Sequence, residues 1–158
     1  MIRAATRGAM ATAIRPGVEA LGGVLYRWPY AIDPSPTRVT LILDNSAGAF
    51  EVPTYEANQN LRSSDTWRIQ AVARAEAAMQ DTATAEQLAE DLADAAIRGV
   101  HADSSLGGLT RSAGSAGTWR LQSVVATGDV EGPEVGDFED GPAAFCVVTF
   151  LCTATIYR

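Results

Sequence analysis

The chain has 158 residues, 47% of them hydrophobic and 20% charged, a size and balance that suit one globular domain over residues 1–158 and exclude wholesale disorder. Its formal net charge of −7 opposes sequence-independent binding to duplex DNA, because that affinity comes from cations neutralising phosphates. Lysine is absent, histidine occurs once, at His101, and cysteine twice, at Cys146 and Cys152, so most polar catalytic machineries have few parts to be built from.

In chain order, Ile2 to Ile14 is rich in helix formers, with Ile2, Ala5, Ala9 and Met10 at helical spacing. Arg15-Pro16-Gly17 is expected to disturb or end this helix, with a further turn over Val18–Leu21 before Gly22-Gly23 stops it. A short aromatic stretch, Val24–Tyr30, leads past Pro34 and Pro36 into a strand over Arg38–Leu43 that sets Val39, Leu41 and Leu43 on one side. Asp44-Asn45-Ser46-Ala47-Gly48 has the composition of a turn, and Ala49–Tyr55 is then a hairpin partner that Pro53 confines to an edge or bulge. Thr66–Arg74 alternates Trp67, Ile69, Ala71 and Ala73 against Arg68, Gln70 and Val72, a strand with one buried face. The spacing predicts a second helix over Ala85–Val100, capped by Thr82 or Thr84, with Leu88, Leu92, Ala95 and Ala96 buried and Glu86, Glu90, Asp91 and Asp94 in water. The glycine- and serine-rich Ser104–Gly117 reads as a long connection of the kind partners recruit. Thr118–Thr127, with Trp119, Leu121 and Val125 on one face, and Ala144–Tyr157 are the last strands, and the order of elements makes an α+β fold.

Between those two strands lies the most distinctive feature, six carboxylates without a basic residue among them: Asp129, Glu131, Glu134, Asp137, Glu139 and Asp140. The pattern predicts two long strands joined by an acid-tipped connection, which suits a projecting surface better than a pocket. Gly128–Pro142 lacks the D-x-D-x-D-G spacing of a calcium loop, so no metal site is expected. His101, Asp103 and Ser104 or Ser105 are neighbours in sequence, yet no glycine-framed nucleophile elbow accompanies them, and a histidine ending a helix suits the negative pole of its dipole. The glycine pairs are followed by no lysine, so no phosphate loop is complete and no cofactor is expected. Trp28, Trp67 and Trp119 are expected to anchor the core or a subunit interface.

Cys146 and Cys152 are six positions apart on one strand, about 20 Å at ~3.3 Å per residue, too far to bridge each other. Buried free thiols are expected, as in a protein assembled in a reducing cytoplasm. No apolar run follows Arg3 and Arg7 to make a signal peptide, and none approaches the ~20 residues of a membrane span, so a soluble chain without membrane contact is expected.

The N-terminal helix, the passage Tyr26-Arg27-Trp28-Pro29-Tyr30, the strand around Thr66-Trp67-Arg68-Ile69-Gln70, and the helix Ala85–Val100 leading through Leu106-Gly107-Gly108 into Trp119-Arg120-Leu121 resemble tail proteins of long-tailed bacteriophages. The pattern is similar to that of the tail terminator, or tail-completion, proteins of such phages and of related gene transfer particles, and it spans nearly the whole chain. The resemblance implies a mixed, mainly antiparallel sheet with two principal helices packed on one side, in a virion protein assembled in the host cytoplasm. It also implies a homo-hexameric ring that caps the head-proximal end of the tail tube, stops its polymerisation and joins the head connector or stopper protein, while DNA passes through without specific binding. Such a protein is structural and not an enzyme. On this reading Asp129, Glu131, Glu134, Asp137, Glu139 and Asp140 face the bore or a neighbouring subunit. Ser104, Leu106, Gly108, Arg111 and Gly114 belong to a docking loop that gains its order on docking. The competing readings are another neck component, such as a head-completion or stopper protein, a small enzyme or ligand-binding α+β domain, and a regulatory interaction module.

Overall fold

The computed structural model describes residues 2–27, 34–50, 62–76, 81–138 and 141–157. Helix α1 covers Arg3–Ala20, β1 Val24–Arg27, β2 Arg38–Phe50, β3 Arg62–Glu76, α2 Thr82–His101, β4 Thr110–Ser112, β5 Thr118–Phe138 and β6 Gly141–Tyr157. The fold is α+β, with both helices on one face of a mixed sheet whose described strands are ordered β1-β2-β3-β6-β5-β4; among these the β1–β2 pair is parallel and the other pairs are antiparallel. The expectations for Trp28 and for residues 51–55 lie outside the described residues.

The core forms where the strand alternation meets the helical stripes. On β3 the buried residues are Trp67, Ile69, Ala71, Ala73 and Ala75, as the alternation predicts, and they pair in unbroken register with Cys152, Phe150, Val148, Cys146 and Ala144 of β6. Large side chains gather near Trp67 and Phe150, and alanines line the other end, where the alanine-rich α2 packs closely. Burying Trp67 or Phe150 stabilises the fold by roughly 1.5–3 kcal/mol each. Leu92 of α2 and Met10, Ile14 and Val18 of α1 close the layer from above. The Arg3 guanidinium grips the fully buried Asp65 through two hydrogen bonds, Nε to Oδ2 at 2.8 Å and Nη2 to Oδ1 at 2.6 Å, and lies 5.7 Å from the Trp67 ring centroid. The start of α1 is thereby fixed to β3, and the Asp65 carboxylate raises the Arg3 pKa above its ordinary value.

Several elements differ from expectation for local reasons. Helix α1 continues through Pro16, which sits on its exposed side, where water can serve the carbonyl that proline leaves without a donor. It ends instead at a Schellman turn, with the Gly23 N–H donating to Val18 O and the Gly22 N–H to Glu19 O, and Gly22 at φ +76°. The cap of α2 is Asp81, not Thr82 or Thr84. Its carboxylate accepts from the Thr84 N–H at 3.1 Å and from the Thr84 hydroxyl at 2.6 Å, bonds that hold its pKa below the ordinary 3.8. The buried stripe of α2 is Ala85, Ala89, Leu92, Ala93, Ala95, Ala96 and Val100, with Leu88 half-buried at its margin. The expected turn after Leu43 does not reverse the chain. Residues 44–48 stay within β2 as an irregularity between the pairs Asp44–Arg68 and Ala49–Thr66.

Candidate functional site

Residues 129–137 of the acidic run do not lie in a connection but belong to the 21-residue β5, which pairs with β6 as far as Phe138–Gly141. For these residues the expected loop gives way to strand because pairing with the apolar β6 supplies a ladder despite the glycines. Glu139 and Asp140 lie outside the described residues, and Asp129 and Asp137 are placed here by backbone only.

Bulges shape this outer arm of β5. Register with β6 shifts between Leu121 and Ser123, between Ala126 and Val130, and between Glu131 and Glu134. The first shift brings Val124 into the core, fully buried, and turns Val125 outward at 43% exposure, the reverse of the predicted face. The last has the larger consequence. In a regular strand residues three apart point to opposite faces, but Glu131 pairs with Val147 and Glu134 with Phe145, and these two share the face without helices. Gly132 makes this possible: at φ +97°, a side chain there would put its Cβ 2.5 Å from Phe145 O. Val130 and Val135 pair with the buried Val148 and Ala144 of the other face, yet are 45% and 43% exposed. The arm therefore carries exposed carboxylates on one side and exposed valines on the other.

The inner part of β5 has its outer edge closed. Its first residues pair with β4, the Leu121 N–H donates to Leu109 O, the Val124 N–H to Ser104 O, and the Ala126 N–H to His101 Nε2 at 3.2 Å. Beyond Ala126 no strand among the described residues pairs with that edge.

The predicted docking loop supplies part of this closure. Asp103 organises its start, with Oδ1 accepting from the Ser105 N–H and hydroxyl and Oδ2 from the Gly107 N–H. These bonds, the Ser105 hydroxyl foremost, hold its pKa below the ordinary 3.8. Ser104 and Gly108 are exposed, Leu106 is half-buried against the core, Arg111 is exposed on β4 opposite Trp119, and Gly114 opens a short 3-10 turn. Sequence reasoning missed β4 because three exposed residues carry no alternation to read.

His101 engages Ala126 while Asp103 engages Ser105 and Gly107, so the three neighbours in sequence form no relay. Cys146 and Cys152 are free and buried. Burial pushes Cys152 up to about 12, and burial with the Glu90 and Asp94 charges pushes Cys146 up to about 11. Among the described residues no group of three or more His, Cys, Asp or Glu side chains could hold a metal ion, and no helix is long and apolar enough to cross a membrane. An open groove of about 530 Å³ runs between α1 and the end of α2, lined by Ala9, Thr12, Ala13, Gly99, Ala102 and Leu106 among others, with Asp103 at its wall but not His101. No family model and no curated protein matches the chain.

Proposed function

We propose that this chain is a structural subunit of a ring, six copies in closed cyclic symmetry, that caps the head-proximal end of the tail tube of a long-tailed phage or related transfer particle. The ring stops tube polymerisation and joins the tail to the head connector. The observation that carries this reading is the two-sided outer arm of β5, with Glu131 and Glu134 on one face and Val130 and Val135 on the other. A rigid arm of that kind, acidic on one side and apolar on the other, suits a subunit that meets a neighbouring copy around a ring. The net negative charge of such a ring keeps a passing duplex from adhering, and six copies at −7 carry about −42 in all. The action is geometric: one ring face matches the last ring of tube protein, and the other presents a surface that no further tube subunit can join. No bond is made or broken, and DNA is not bound specifically.

Electron microscopy of the purified protein mixed with tail tubes tests this directly. A cap on one end of each tube, with growth arrested, is the expected result. Bare ends and continued elongation overturn it, and copurification with filled heads instead of tubes assigns the chain to the head-completion or stopper side of the neck.

A further inference from the structure

Of the large hydrophobic side chains exposed on the molecule, Val125, Val130 and Val135 lie on β5 and Val24 lies on β1. Among the described strands these bound opposite margins of the sheet: β1 is the outermost on one side, and β5 becomes the outermost on the other wherever β4 does not cover it. The charges on the two outer strands have opposite sign. Exposed Glu131 and Glu134 stand on the β5 arm, whereas the charged residue of β1 is the exposed Arg27. One chain thus presents an apolar and acidic margin and an apolar and basic margin at the two ends of one sheet.

We propose that the β5 margin of one copy, Thr127 to Phe138, docks against the β1 margin of a second copy of this chain, with Glu131 and Glu134 facing Arg27 and Val130 and Val135 supplying the buried contact. Two different patches joined head to tail make a heterologous contact, and repeated rotation through it closes a ring. The margin does not act as a template for an endless strand ladder. Bulges interrupt its register and Pro133 removes a backbone donor, so side chains carry the contact and set its partner. This assignment rests on the ring reading above and names the surface that closes the ring.

Charge exchange across the two margins tests it. Sedimentation of the full chain should show assembly beyond the monomer. Arg27→Glu alone, and Glu131→Arg with Glu134→Arg, should each weaken assembly at least about tenfold, because like charges then face each other. Combining all three substitutions in one chain should restore it. The exposed Arg98→Glu, on neither margin, should leave assembly unchanged and serves as a control. A wild type that stays monomeric, margin substitutions without effect, or failure of the triple exchange to rescue overturns the assignment. Intact rings that fail to cap tail tubes leave the contact standing and remove only the tail-capping role.

Discussion

Replacing Gly99 with alanine should destabilise the protein although alanine is the better helix former. In a helix interior the exchange favours the fold by about 0.8–1.0 kcal/mol. A Cβ on residue 99 would, however, stand 2.9 Å from Ala13 O and 3.1 Å from Ile14 Cα, and these are backbone atoms of α1 that cannot rotate aside. The helices must separate by several tenths of an ångström, which also opens the neighbouring close approach of Gly17 to Ala95. Overpacking of this kind costs about 1–3 kcal/mol, so the net effect is a loss of about 0.5–2 kcal/mol. Gly8→Ala is the matched control on α1. Among the described residues the close atom there is Nη1 of the exposed Arg27 at 3.3 Å, the far end of a flexible side chain, and the variant should gain about 0.5–1 kcal/mol. Urea unfolding of both variants, compared at constant m-value, checks the pair. Equal stabilisation by the two substitutions would refute the reasoning that α1 and α2 meet through backbone at Gly99.

Arg3→Met leaves Asp65 buried without its cation and should cost about 3–5 kcal/mol in urea unfolding, with Asp65→Leu added to it recovering a large part; a single-variant loss below about 1 kcal/mol contradicts this. Asp81 and Asp103 have pKa values below 3.8, so their contribution to stability is present above that value and disappears as pH falls through the folded values. The melting-temperature gap between wild type and Asp81→Ala/Asp103→Ala should therefore be open at pH 7 and close below pH 3.8, and a gap that widens in acid rejects both bonds. Cys146 and Cys152, with pKa values of about 11 and about 12, should resist alkylation at pH 8 until the protein is unfolded by urea, and stoichiometric labelling of the native chain would show that they are accessible. Gly132→Ala should loosen the β5 arm, seen as faster amide exchange over residues 130–135 with the exchange of β3 unchanged; unaltered exchange in the arm would mean that the bulge tolerates a side chain.

The sequence was most legible where one periodicity ran without interruption. Trp67, Ile69, Ala71 and Ala73 alternate cleanly, and the buried face of β3 follows from them. The stripe of α2 is readable for the same reason, although its phase comes from alanines that contact β3 and β6, which shifts it from Leu88 toward Ala85 and Ala89. Legibility failed where local chemistry and tertiary pairing disagreed. Pro16 and residues 44–48 carry breaker signals that the fold absorbs, one on an exposed helix face and the other as an irregularity opposite β3. In the candidate site, glycines and carboxylates suggested a loop, while pairing with the continuous apolar β6 holds the segment as strand. The shared face of Glu131 and Glu134 could not be read at all, since it depends on a bulge whose position only the register reveals.

Strand β6 is the last described element along the chain, yet it lies in the middle of the sheet, between β3 and β5. During synthesis the growing polypeptide can form α1, α2 and the β2–β3 pair, but Trp67 and Ile69 lack their β6 partners Cys152 and Phe150 until those residues have left the ribosome. Closure of the core is consequently a late, long-range event of the slow kind associated with non-local strand pairing. Until it happens, two unsatisfied strand borders are exposed together, and removing the final strand would leave a chain that collapses without ever reaching this architecture.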